Sequence, residues 1–141
     1  MAGYSGTPLP KKLGLKEGSR LALAGAHDGF METLGGLPDG VALTAADAGA
    51  IDVIVCFVTA AEELSARFAE LKPRLAYSGG LWIAWPKRSS GTATTLNENL
   101  VRDMGLAAGL VDNKVCAIDE QWSGLRFVYR LADRPDAEAR R

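Results

Sequence analysis

The chain has 141 residues, 48% hydrophobic and 23% charged, with sixteen basic residues against seventeen acidic and a formal net charge of -1. That length suits one domain with its own core, and the balanced charge lacks the basic excess expected of a nucleic-acid binder. No apolar run approaches the roughly 20 residues needed to span a bilayer. The opening "MAGYSGTPLPKK" has no apolar stretch behind a basic start, and Ala2 rules out N-myristoylation, so a cytoplasmic protein is expected.

Residues 1–18, rich in Gly, Pro and Lys, predict an irregular leading segment with one helical turn around Leu9 to Leu13. Arg20 to Ala26 is an apolar run suited to a buried strand. Asp28 caps a short helix carrying Phe30, Met31 and Leu34, which stops at Gly35 and Gly36. After the turn "PDG", Val41 to Ala45 reads as a short strand. "IDVIVCFV" (Ile51 to Val58) is almost continuously apolar and β-branched, as expected of a central parallel strand covered on both faces.

The next helix is signposted by a capping box of Thr59 and Glu62. Leu64, Phe68, Leu71 and Leu75 form its apolar stripe. Glu63–Arg67 and Glu70–Arg74 are expected i,i+4 pairs, and Pro73 ends it. A strand runs from Leu81 to near Pro86, with Trp82 and Trp85 on opposite faces. Thr95 and Glu98 match a second capping box, before a helix bearing Leu96, Leu100, Val101 and Met104 and ended by Gly105 or Gly109. "VDNKVCAID" and "WSGLRFVYR" form an antiparallel hairpin turning at Glu120–Gln121. The polar tail "DRPDAEARR" is expected to be flexible.

Strands joined by helices give parallel pairs with right-handed crossovers. The expected fold is therefore a three-layer Rossmann-like α/β sheet, mostly parallel, with an antiparallel C-terminal hairpin. It forms a single domain over residues 1–132, with 133–141 as tail. The two cysteines, Cys56 and Cys116, both in strand-like runs, are expected to be reduced. With one histidine and no CxxC or HxxxH spacing, no metal site is expected.

"DVIVCFVTAAEELSARFAELKPRLAYSGGLWIAW" resembles the second half of a class I methyltransferase domain, and the hairpin resembles that fold's reversed final strand. The resemblance implies an adenosyl cofactor near Gly25 and an acidic residue, Asp47, at the end of the second strand. The turn "AGAHDGF" departs from it, because Gly25 and Gly29 alone do not satisfy G-x-G-x-x-G. In combination, "GYSGTPLPKKLGLKEG", "LWIAWPKRSSG" and "LVDNKVCAIDEQWSGLRFVYR" are similar to a bacterial family, domain of unknown function 3052. That resemblance implies identity without an activity or a cofactor.

In open α/β sheets ligands sit outside the carboxyl ends of the strands. Three loops are expected there: Ala24 to Phe30, Val58 to Ala60 and Pro86 to Thr95. The last has the parts of an anion site. Lys87 and Arg88 carry charge, Ser89, Ser90 and Thr92 carry hydroxyls, Gly91 frees the backbone, and a helix N-terminus follows. The same composition also makes an ordinary solvated loop. His27, which titrates near neutrality, is placed to join as acid or base, and Lys11 and Lys12 to join if the leading segment folds across. A Ser123–His27–acid triad lacks its G-x-S-x-G turn. Trp122 is expected to pack over the hairpin turn, Gly124 to allow close backbone approach, and Arg126 to pair with a carboxylate.

Three functional readings follow. One is a non-catalytic domain binding a small anionic metabolite or nucleotide through Lys87, Arg88, Ser89 and Ser90, with His27. The second is a degenerate methyltransferase-like enzyme holding an adenosyl cofactor at Gly25 and Asp47. The third is an interaction module, homodimer included, using Leu125, Phe127 and Tyr129 on the hairpin edge.

Overall fold

In chain order, the computed structural model, which describes residues 8–25 and 29–135, runs α1 (Leu9–Leu13), β1 (Arg20–Ala24), α2 (Phe30–Leu34), β2 (Ala42–Thr44), β3 (Ile51–Phe57), α3 (Ala61–Leu71), β4 (Leu75–Pro86), α4 (Glu98–Ala107), β5 (Leu110–Ala117) and β6 (Trp122–Tyr129). One six-stranded sheet has the order β2-β1-β3-β4-β6-β5. β2, β1, β3 and β4 are parallel, whereas β6 runs antiparallel to both β4 and β5. This is the Rossmann-like sheet with a reversed hairpin that the alternating elements predict.

Side-chain alternation along the central strands divides the core in two. On one face Ile54, Cys56, Leu81, Ile83, Trp85, Leu125 and Phe127 meet Leu64, Phe68 and Leu71 of α3 and Val101 of α4. On the other, Val53, Val55, Phe57, Trp82 and Ala84 meet Leu13 beside α2's Phe30 and Leu34. Trp82 and Trp85 thus do point to opposite faces. The indole of Trp82 is fully buried and donates to the Leu13 carbonyl at 3.1 Å, which seats α1 on the sheet.

Residues 45–50 alone carry the chain from β2 back to β3, where a parallel crossover ordinarily needs about a dozen. The path is short because β2 has three residues and because Ala46 and Ala48 lie directly on the core. Arg20 Nη1 donates to the Gly49 carbonyl at 2.7 Å and holds the segment down.

Two expectations change. β4 begins at Leu75, not Leu81, because the strand is irregular there: Leu75 pairs with Ile51 and Gly80 with Val53. A Cβ on Gly79 would lie 2.6 Å from the Asp52 carbonyl oxygen, so the close approach requires glycine. The hairpin's outer strand is β5. β6 lies inside the sheet, and Leu125, Phe127 and Tyr129 are buried under α4 rather than offered at an edge.

Of the two glycines expected to end α4, Gly109 follows it at φ 92°, whereas Gly105 is buried inside the helix, where an added Cβ would sit 2.0 Å from Phe127 Cε1. Phe127 is itself fixed edge-on against Phe68, with centroids 5.3 Å apart. Alanine is the better helix former by about 1 kcal/mol, yet overpacking costs about 1–3 kcal/mol. Gly105→Ala is therefore expected to lower the urea midpoint at unchanged slope.

Cys56 and Cys116 are free thiols on opposite faces of the sheet. Burial pushes Cys56 up from 9.0 to about 12, with the nearby Arg67 charge opposing. The unfolded chain therefore ionises this thiol first, and its contribution to stability, full below pH 9, is lost as pH rises toward about 12. Urea midpoints measured against pH should accordingly fall more steeply above pH 9 in the wild type than in Cys56→Ala.

Candidate functional site at the carboxyl rim

Because β1 to β4 are parallel, Gly25, Thr44, Phe57 and Pro86 close one rim. β1 lies between β2 and β3, so the winding reverses there, the place where such sheets bind ligands. Gly25 holds φ 62°, and a Cβ on it would be 2.6 Å from the Phe57 carbonyl oxygen. Its lack of a side chain lets the end of β1 approach β3. Asp47 is exposed at the corner of a turn directly after β2, closed by Ala48 N–H to the Ala45 carbonyl at 3.1 Å. Gly25 and Asp47 therefore stand at the ends of adjacent strands. His27, with Asp28 and its expected cap, lies outside the described residues.

After Pro86 the chain makes a single turn of 3₁₀ helix, Arg88–Ser90, and leaves through Gly91 at φ 78°. Ser90 is spent inside this turn: its hydroxyl donates to the Lys87 carbonyl at 2.7 Å and accepts the Thr92 N–H at 3.1 Å. Lys87 N–H donates to the Gln121 carbonyl at 2.8 Å, which ties the tip to the β5–β6 turn. Beside the tip is a hollow of about 570 Å³. Trp85, Lys87, Arg88, Thr92, Thr95, Asn97 and Ser123 line it, with Glu98 on the same wall.

The structure brings Lys87 and Arg88 to this hollow, and neither makes an ion pair among the described residues. It does not bring Ser89 or Ser90 there. Ser89 faces solvent, and Ser90 is taken up by the loop itself. Ser123 arrives from the opposite end of the chain because it pairs with Trp85 across the β4–β6 ladder, a register that no local motif announces. Glu98 is not a free charge, because its carboxylate accepts from Arg102 Nη2 at 2.8 Å.

Both expected capping boxes are rewired. Thr95 does not cap its own helix: α4 is capped by Asn97, whose Oδ1 accepts the Leu100 N–H at 2.9 Å. Thr95 Oγ1 instead accepts the N–H of Ala61 at 3.0 Å, the start of α3. Thr59 does not pair with Glu62; its N–H donates to Glu63 at 3.1 Å. Glu63 is thereby turned from Arg67, which pairs with Glu70 at 3.0 Å in place of both expected i,i+4 pairs. Thr94 Oγ1 and Thr95 N–H both donate to the Thr59 carbonyl, at 2.6 and 3.2 Å. The far wall of the hollow is thus stitched to the end of β3.

At the hairpin turn Asp119 Oδ1 accepts the N–H groups of Gln121 and Trp122 at 2.7 and 2.9 Å. Trp122 packs edge-on against Phe57 of β3 at 5.0 Å, and the space at Gly124 is taken by side chains, not backbone: a Cβ there would meet Ile118 Cδ1 at 2.8 Å. Among the described residues Arg126 finds no carboxylate; its Nη1 donates to Asn113 Oδ1 at 3.3 Å. Among the described residues no group of three or more His, Cys, Asp or Glu could hold a metal ion, and no helix is long and apolar enough to cross a membrane.

No protein-family model and no curated protein matches the chain. Solved structures share its fold. A SAM-dependent methyltransferase from Aquifex aeolicus is 18% identical with a TM-score of 0.64, covering 83% of this chain and 85% of its own. A TehB-like SAM-dependent methyltransferase from Corynebacterium glutamicum is 12% identical with a TM-score of 0.57, covering 92% and 91%. Aeropyrum pernix fibrillarin, solved with natively bound S-adenosyl-L-methionine, is 14% identical with a TM-score of 0.57, covering 89% and 70%. The likeness is one of architecture: this chain has the methyltransferase-like Rossmann fold.

The stitch has a measurable worth. Thr95→Val keeps the shape but removes the acceptor for Ala61, so it is expected to cost about 1 kcal/mol, as for loss of a helix cap. Urea denaturation followed by circular dichroism checks this, and Thr92→Val serves as the control expected to stay within about 0.5 kcal/mol.

Proposed function

We propose that this protein binds a small anionic metabolite or nucleotide in the hollow between the end of β4 and the N-terminus of α4. The observation that supports the reading is the pair of cations, Lys87 and Arg88, on the wall of a polar hollow at the carboxyl rim and without ion-pair partners among the described residues. Arg88 supplies a planar fork for a carboxylate or phosphate, and Lys87 a mobile point charge. Ser123, Thr92 and Asn97 add neutral hydrogen-bonding groups that fix orientation. The one carboxylate on that wall, Glu98, is held by Arg102 Nη2 at 2.8 Å, and the reading is of a binding domain, set in the cytoplasm.

A second reading keeps an adenosyl cofactor at the β1–β2 rim and makes the protein a methyltransferase-like enzyme. Its support is the shared architecture, together with Gly25 and Asp47 on adjacent strand ends. Asp47 would accept from ribose hydroxyls there, and the cofactor would supply the transferable methyl group. Two features weigh against it. The glycine-rich turn is incomplete, and the space that Gly25 keeps open is filled by β3's own carbonyl. Fold alone does not carry an activity.

Thermal-shift and calorimetric titrations with AMP, ATP and S-adenosylmethionine separate the two. Under the first reading the adenine nucleotides raise the melting temperature, since a ligand of the folded state alone stabilises it. The Lys87→Ala/Arg88→Ala double variant then weakens their binding about tenfold or more. Stabilisation by S-adenosylmethionine alone, lost in Asp47→Asn and kept in the double variant, would replace the first reading by the second.

A further inference from the structure

The second cationic cluster lies at the opposite rim, and glycine again marks it. A Cβ on Gly80 would sit 2.2 Å from Arg126 Nε and 2.6 Å from its Cζ. The guanidinium of Arg126 therefore packs against β4 in the space that any other residue's side chain at position 80 would fill. Arg126 stands across from Trp82 and Lys114 in the ladders, next to Asn113 at an irregularity of β5. Its Nη1 donates to Asn113 Oδ1 at 3.3 Å.

Arg134 approaches from beyond β6. Its Nη2 donates to the Tyr129 carbonyl at 3.2 Å, whereas its Nε is buried without a hydrogen-bond partner among the described residues. Both arginines are half-buried, and neither makes an ion pair among the described residues. Burial lowers the pKa of Arg126 from its usual value, and the neighbouring charge of Arg134 lowers it further. Two like charges partly removed from water, with neutral acceptors as their partners among the described residues, are costly unless an anion joins them. A buried donor with no partner asks for the same explanation.

We propose that Arg126 and Arg134, flanked by Asn113, form a binding site for the phosphoryl group of a small molecule, separate from the hollow at Lys87. Guanidinium groups offer paired N–H donors matched to phosphate oxygens. Two positive charges call for a dianion: a phosphate monoester carries about 1.5 to 2 negative charges at neutral pH, whereas one carboxylate answers only half. Lys87 lies about 23 Å further along β4 at about 3.3 Å per residue, so no single small phosphate touches both clusters.

The test is titration of the full-length protein with inorganic phosphate, against sodium chloride at matched ionic strength. It is followed by the arginine Nε–H resonances in ¹⁵N-resolved spectra. The expected result is a saturable shift of the Arg126 and Arg134 signals in the millimolar range. Arg126→Gln weakens that affinity about tenfold or more, the value of a charge-assisted contact. Gly80→Ala, which leaves the charge but takes away its seat, weakens it as well. Lys87→Ala/Arg88→Ala leaves it as in the wild type, which separates this site from the rim hollow. A shift that does not saturate, that survives in Arg126→Gln, or that disappears in the Lys87/Arg88 variant would overturn the proposal.

Discussion

Everything in this molecule is arranged around the burial of β4. From Gly79 to Pro86 every residue is shut away from water, between β3 on one side and β6 on the other. A strand covered on both faces and both edges must pair all its backbone groups and fill both sides with apolar volume. Leu81, Ile83 and Trp85 do this toward α3 and α4, while Trp82 and Ala84 do it toward α1 and α2. Trp82 adds one polar demand, an indole N–H, and the Leu13 carbonyl meets it across 69 positions of sequence. The short helix α1 is fixed to the sheet for that reason.

β4 also explains where the charges go. A strand this apolar tolerates cations only where it reaches water or where a missing side chain makes room. Lys87 and Arg88 occupy the first kind of place, and Arg126, lying over Gly80, the second. The two ends of one strand thus present positive groups of different character. One pair lines a hollow where the strand reaches water. The other is half-buried, and among the described residues one of its donors, Arg134 Nε, has no acceptor.

Much of the architecture was legible because its causes are local. The β-branched run Ile51 to Val58, the stripe Leu64, Phe68 and Leu71, and the glycines after α2 each declare their element through neighbours a few positions away. What escaped was decided at a distance. Thr95 has the sequence signature of a cap for α4, but Asn97 took that role and the hydroxyl went to α3, 34 positions earlier. The two strands of the hairpin are alike in pattern, so only the pairing of β6 with β4 shows which one is interior. At the rim, Lys87 and Arg88 could be placed from the end of their strand. Ser90 could not be discounted, since its bond to the Lys87 carbonyl depends on a 3₁₀ turn. Ser123 could not be found, because its position follows from antiparallel register.

The threonine stitch at Thr59, Thr94 and Thr95 has one more consequence. Lifting residues 94–97 away from the hollow would strip the Ala61 N–H of its acceptor and loosen the opening turn of α3. This flank of the cleft is therefore no swinging flap but scaffolding whose shape was settled when the chain folded.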